Sequence, residues 1–148
     1  MIAKADYNQD FHAWLVNTAG LLRAQRFDEI DAVQVADELE AMSKSEKREL
    51  LNRLTVLLAH LLKWRYQPAR RSRSWHNTLS TQRIDILELL EDSPSLKPEI
   101  MGKIGIAYEK AALLAEDETG IDKRHFPDHC PFTLEQILSR GFLPEEDS

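Results

Sequence analysis

The chain has 148 residues, of which 43% are hydrophobic and 30% are charged, and its formal net charge is −6. This size and composition are typical of one soluble globular domain. The single cysteine, Cys130, excludes an internal disulfide framework, and the acidic balance argues against a general nucleic-acid binder, which is normally basic.

The N-terminal residues lack a basic region followed by an apolar run, which is the pattern of a signal peptide. The most apolar stretch, residues 56–62, is far too short to span a bilayer. We therefore expect no membrane partner and a reducing, cytoplasmic setting.

The first two predicted elements are helices in the N-terminal third of the chain. Apolar residues at helical spacing predict a helix from residue 7 or 8 to 25, and a second one from residue 28 or 31 to 42. Each apolar stripe is expected to face a core. The stripes are Phe11, Trp14, Leu15, Leu21 and Leu22 in the first helix, and Ile30, Val33, Val35, Ala36, Leu39 and Met42 in the second.

The third predicted helix, residues 44–66, is the central helix of the fold. Ser43 and Glu46 have capping-box spacing, which favours a break near Ser43; one continuous helix over residues 31–66 is the alternative. Its later leucines occupy more than one face, so we expect them to be buried on several sides. They are Leu50, Leu51, Leu54, Leu57, Leu58, Leu61 and Leu62.

Three further helices are predicted after Pro68, which ends the central one because proline disfavours helical geometry in the preceding residue. They cover residues 72–91, residues 95–119 with Gly120 as a left-handed cap, and residues 134–139, which Thr133 and Gln136 cap. The inward side chains expected in the first of them are Trp75, Leu79, Ile84, Ile86, Leu87 and Leu90.

Together these elements predict an all-α fold. We expect a single-domain bundle of five or six helices over residues 1–148, with a core from about 7 to 144 and an acidic C-terminal tail.

Charge is unevenly distributed along the chain. Residues 1–45 carry 4 basic and 8 acidic groups, residues 46–83 carry 9 basic and 2 acidic groups, and residues 84–148 carry 6 basic and 15 acidic groups. The middle segment therefore stands at +7 between two acidic segments. A local basic region of this kind favours an anion site or a contact with an acidic partner.

One stretch of that middle segment, KWRYQPARRSRSW at residues 63–75, departs from what a helical core needs. Guanidinium groups bind phosphate or carboxylate through two parallel hydrogen bonds, and aromatic rings stack on bases or cover cations. The candidate anion-binding residues are Lys63, Arg65, Arg70, Arg71, Arg73 and Trp75. In the structural alternative, the basic groups pair with helix carboxylates such as Asp37, Glu38 or Glu40, and the tryptophans fill the core.

The histidines do not form a metal-binding motif. His125 and His129 have H-x3-H spacing beside Cys130, but prolines on both sides of His129 argue against the helix that would bring both imidazoles to one face. The remaining histidines lack the glutamate three residues earlier that di-metal bundles use. The chain also lacks a G-x-S-x-G elbow and a glycine-rich phosphate loop. We predict no metal, no cofactor and no catalytic residue.

As an ordered set, several strings of residues resemble the bacterial domain-of-unknown-function family 29. The resemblance covers about residues 7–144 and includes the basic stretch; it implies a helical fold and no established activity. The strings are Tyr7-x-x-Asp10-Phe11-x-x-Trp14-Leu15, Glu38-Leu39-Glu40-x-Met42-x-Lys44-Ser45-Glu46, Leu61-Leu62-Lys63-Trp64-x-Tyr66-Gln67-Pro68, Arg70-Arg71-Ser72-x-Ser74-Trp75, Asp92-Ser93-Pro94-Ser95-Leu96 and Cys130-Pro131-Phe132-Thr133.

These observations favour a non-enzymatic protein-interaction domain whose partner is a second copy of the chain, as a homodimer, or another protein. The reasons are the missing catalytic motifs and a central helix too apolar for one bundle to cover. The first alternative is an enzyme or ligand-binding protein that uses the Arg70–Arg73 cluster for an anionic small molecule, with Asp37, Glu38 or Glu40 as acid or base. The second is local nucleic-acid binding through residues 63–75.

Overall fold

The computed structural model describes residues 7–145, and these residues form helices and connecting turns without a strand. The all-α prediction is therefore confirmed. A short 3₁₀ turn lies between each pair of consecutive helices. The five helices are α1 (Phe11–Arg23), α2 (Ala32–Tyr66), α3 (Arg73–Asp92), α4 (Lys97–Thr119) and α5 (Leu134–Leu138).

Helix α2 is one continuous helix of 35 residues, so the break predicted near Ser43 is absent. Ser43 and Glu46 are exposed positions inside this helix. A capping box needs free backbone N–H groups, and inside a helix these groups already bond to carbonyls four residues earlier. The capping-box spacing of Ser43 and Glu46 therefore predicted a helix start that is absent from the structure.

The other helix boundaries follow local signals. Helix α1 begins at Phe11, later than predicted, because the Asp10 carboxylate accepts the backbone N–H of the third residue after it, at 3.0 Å. Ser72 caps α3 in the same way, and Gly120 ends α4 with a left-handed φ of 76°. Thr133 opens α5 with the predicted capping box. These three boundaries were predicted correctly.

The chain divides into two compact units, with the boundary between Lys44 and Ser45. The C-terminal unit contains the main hydrophobic core, which gathers side chains from the later part of α2 and from α3, α4 and α5. Six of the seven predicted α2 leucines have no exposed surface, and Leu51 is half-buried. The expectation that one bundle would leave this part of α2 uncovered was therefore wrong.

Helix α3 differs from its prediction at three positions, one of which is Leu89, a buried residue that was not among the expected inward side chains. Leu79, Ile86 and Leu90 are buried as expected, but Leu87 is 38% exposed. Arg83, which is only 1% exposed, lies on the buried face instead. A spacing of four, three and four residues places Arg83 in the same row as the three buried apolar residues.

The N-terminal unit buries far fewer side chains than the C-terminal unit does. Among residues 7–44, only Trp14 and Thr18 are buried. The Tyr7 ring meets Trp14 edge-on, with 4.9 Å between ring centroids, and its hydroxyl group donates a hydrogen bond to the Glu38 carboxylate.

Most of the apolar side chains predicted to face a core in this unit are exposed, so the prediction is wrong for them. We call the eight exposed large hydrophobic side chains of this unit, whether or not they were predicted to face a core, the N-terminal apolar surface. It consists of Phe11, Leu15, Val16, Leu22, Phe27, Val33, Leu39 and Met42.

Candidate functional site

The predicted basic stretch, residues 63–75, forms the corner between α2 and α3, and we call it the basic corner. Helix α2 ends at Tyr66, a 3₁₀ turn covers Pro68–Arg70, and α3 begins at Arg73. The corner thus brings the six predicted site residues into one connected region. Their contacts divide them into residues that hold the fold together and residues that face solvent.

Lys63 belongs to the first group. It is 8% exposed, its ammonium group donates a hydrogen bond to the Glu118 carboxylate at 2.7 Å, and it lies 4.7 Å from the centre of the Trp75 ring. Glu118 is part of α4 and Trp75 is part of α3. The charge of Lys63 is therefore compensated by a carboxylate and an aromatic face, and the residue joins three helices.

Arg71 is also engaged within the corner. Its Nε donates to the Trp64 carbonyl at 2.7 Å, and its guanidinium carbon lies 5.1 Å from the centre of the Trp64 ring. That carbonyl is one of the last four of α2, which lack a partner inside the helix. Arg71 therefore caps α2. Arg65 lies over the Tyr66 ring, at 5.5 Å from its centre.

The three aromatic rings of the corner are half-buried and in contact with protein groups. Trp64 lies 6.3 Å from the His76 ring, and Tyr66 meets the Phe126 ring at 5.1 Å. With Trp75 under Lys63, each ring already has a neighbour inside the C-terminal unit. These contacts support the structural alternative for the aromatic residues.

Arg70 and Arg73 differ from the rest of the corner because both are exposed. Within residues 7–145, neither side chain forms an ion pair or a hydrogen bond. The first turn of α3 also contains no acidic residue. These two guanidinium groups are the part of the predicted site that is open to a ligand.

The most unusual charged residue, Arg83, was not predicted. Its Nε donates to the Ile137 carbonyl at 2.9 Å, and its two terminal nitrogens donate to the carbonyls of Gln136 at 3.2 Å and Arg140 at 3.5 Å. Burial lowers the pKa of the Arg83 guanidinium below its ordinary value. The sequence signal for this position was a charged residue at helical spacing among the apolar residues of α3.

Two of the grooves in the C-terminal unit are lined by residues of its loops. One, of about 480 Å³, is lined by Arg65 and by residues from Pro131 to Glu145, including Phe132 and Phe142. The other, of about 410 Å³, lies between α4 and the loop after it. There Tyr108 donates a hydrogen bond to the Pro127 carbonyl, and burial raises the pKa of Tyr108 to about 12. This phenol is therefore neutral near pH 7.

The histidines and the cysteine remain separate. His125 and His129 are exposed, and burial raises the pKa of the Cys130 thiol. Burial lowers the pKa of His60, whose Nδ1 lies 3.0 Å from the Val56 carbonyl. In the part of the chain that the structure describes, no three His, Cys, Asp or Glu side chains are grouped as metal ligands. No helix there is both long and apolar enough to cross a membrane.

Comparison with known proteins gives a family and nothing finer. No curated protein and no solved structure matches this chain. The family model described as the domain of unknown function DUF29 matches residues 7–143. That match covers nearly the whole chain and agrees with the resemblance carried by the basic corner and its flanking strings. The chain therefore belongs to the DUF29 family, a domain of unknown function.

Proposed function

We propose that this protein is a non-enzymatic interaction domain that associates with a second copy of itself through the N-terminal apolar surface. The observation that carries the proposal is the exposure of this surface. Its eight large apolar side chains are 42–71% exposed within residues 7–44, whereas four such side chains are exposed in the rest of the described chain.

The size of this surface supports a protein partner. With about 150 Å² for a fully exposed large apolar side chain, these eight residues present roughly 700 Å². A stable interface covers about 800 Å² on each partner, and apolar patches larger than a few hundred Å² mark interaction sites. Because Val33 and Met42 lie on opposite faces of α2, one contact can use only part of this area, and polar residues must supply the rest of the interface.

Helical spacing supports a continuous row on α1. Phe11, Leu15 and Leu22 lie four and seven residues apart, on the same face as the buried Thr18. Each of the three side chains is 42–44% exposed, so this row remains accessible to a partner. A two-fold contact would pair this row with the same row of a second copy, because a dimer of this kind joins identical surfaces.

The charge of the segment predicts how such a dimer responds to salt. Residues 1–45 carry 4 basic and 8 acidic groups, so two copies of this surface repel each other. Added salt screens that repulsion. We therefore expect association to strengthen as the ionic strength rises, which is opposite to the behaviour of an interface held by ion pairs.

Sedimentation velocity at micromolar concentration tests the proposal. We expect the wild-type chain to sediment as a dimer, and Leu15→Glu to weaken association by about tenfold or more because it places a charge in the apolar contact. Ile106→Glu is the matched control, since Ile106 is 48% exposed in the C-terminal unit. A wild-type chain that remains monomeric at both low and high salt would overturn the proposal.

A further inference from the structure

The basic corner holds two arginines that the fold of the C-terminal unit does not use. Lys63 is paired with Glu118, and Arg71 caps the end of α2. Arg70 and Arg73, by contrast, are exposed and make no ion pair with a described residue. Structural pairing therefore accounts for some of the positive charges in the corner, but not for these two.

The backbone that carries both arginines is well defined. Arg70 closes the 3₁₀ turn that begins at Pro68, and its backbone N–H bonds to the Gln67 carbonyl at 3.0 Å. Arg73 is the first residue of α3, next to Ser72, whose hydroxyl accepts the Trp75 N–H at 3.2 Å. A rigid backbone presents two guanidinium groups at a lower entropic cost than a flexible loop does.

We propose that Arg70 and Arg73 form a binding surface for an acidic peptide segment of a partner protein. Each planar guanidinium group fits one carboxylate through two parallel hydrogen bonds. Two arginines three positions apart suit aspartate or glutamate side chains that lie close together along a chain. The two surfaces have no residue in common, so the inference does not depend on the proposed self-association.

The aromatic contacts favour a peptide over a nucleic acid. Single-stranded nucleic acid binds by stacking bases on open rings, but the three rings of the corner are half-buried against Lys63, Arg71, His76 and Phe126. Phosphate-backbone binding also uses many cations, whereas the corner offers two without a partner among the described residues.

The same corner is poorly suited to a membrane surface. None of the large exposed apolar side chains of the described chain lies within residues 63–75, so the corner has no apolar group to insert. Two cations alone supply about 1 kcal/mol each toward an anionic bilayer, which is too little for stable attachment.

Fluorescence anisotropy of the full-length protein with a fluorescein-labelled oligoglutamate peptide at low salt tests this inference. We expect saturable binding that weakens as salt rises, and a loss of about tenfold or more in the double variant Arg70→Gln/Arg73→Gln. Arg48→Gln/Arg140→Gln is the matched control, because both arginines are exposed and it removes the same charge. We expect the control to change affinity by less than about twofold.

Three outcomes would overturn the inference. One is equal loss in the two double variants, which would show that only the overall charge matters. Another is equal binding of an oligoglutamine peptide. The third is tighter binding of a single-stranded oligonucleotide or of phosphatidylserine vesicles that also depends on Arg70 and Arg73. Binding that persists in Leu15→Glu separates this surface from self-association, and circular dichroism confirms that each variant is folded.

Discussion

At the scale of single residues, Arg83 shows how a buried charge can fix a segment distant in sequence. Its three donors point at backbone carbonyls, two of which belong to the last turn of α5. The C-terminal end of a helix carries partial negative charge, so it attracts a cation without a carboxylate. Although burial lowers its pKa, arginine starts so far above neutrality that it stays charged.

Replacement of Arg83 by Met removes all three donors but keeps an apolar side chain in the core. The carbonyls of Gln136 and Ile137 then lose their partner, and we expect the free energy of unfolding to fall by about 2–4 kcal/mol. Urea denaturation followed by circular dichroism measures the change. Arg73→Met serves as the control, since a solvent-exposed arginine should change stability by less than about 0.5 kcal/mol. Equal losses in the two variants would contradict a structural role for Arg83.

At the scale of elements, helix propensity and capping signals did not predict that α2 would be continuous. A serine that starts a helix is worth about 1 kcal/mol relative to alanine, whereas a serine inside a helix costs about 0.5 kcal/mol relative to alanine. The same substitution therefore has opposite signs in the two cases.

Because Ser43 is exposed inside α2, we expect Ser43→Ala to raise the free energy of unfolding by about 0.5 kcal/mol. Thermal or urea denaturation of both proteins gives the sign. Thr133→Ala is a useful comparison, since Thr133 forms a capping box and should lose about 1 kcal/mol. A loss of stability in Ser43→Ala would indicate that the helix does start there.

The helix boundaries that could be predicted from the sequence are those determined by residues close to them in the chain. Gly120 marks the end of α4 and Thr133 the start of α5, because a left-handed cap and a capping box are complete within a few residues. Burial is different, because it depends on which elements pack together. The apolar pattern placed Leu39 and Met42 in a core, yet they are 61% and 64% exposed.

The same distinction applies to the basic corner. The sequence singled out all six residues, but it could not assign Glu118 to Lys63, because 55 residues separate the two. Nor could it separate Arg71, which caps a helix, from Arg70, which faces solvent. Composition and spacing locate a charge cluster, whereas long-range contacts decide which charges remain open.

At the scale of the whole molecule, the two units differ in how many apolar side chains they bury. All twenty residues of the hydrophobic core cluster lie at or after Leu50. Trp14 is the only buried large apolar residue among residues 7–44. The N-terminal unit therefore lacks the buried surface that a segment needs to fold alone. We continue to propose a single domain over residues 1–148, with a core from about 7 to 144.

We expect a fragment that begins at Ser45 to keep its helical circular dichroism and a cooperative thermal transition, because it contains the whole core cluster. The complementary fragment, which ends at Lys44, should be largely unfolded, because short isolated helices are marginal in water. A cooperative transition in the shorter fragment, or none in the longer one, would contradict this division of stability.

The hydrogen bonds from Arg83 hold the backbone of the C-terminal segment in the way that a protein holds a bound peptide. The segment is anchored by Phe126, Phe132 and Ile137, each at most 7% exposed, and by the backbone bonds from α3. The loop before it exposes Lys123 and Arg124. We therefore expect proteolysis there to cut the covalent chain and leave the two pieces associated, which gel filtration of the cleaved protein would check. Because Arg83 binds backbone carbonyls, a change of the exposed Glu135 side chain in α5 would leave that hydrogen bonding in place.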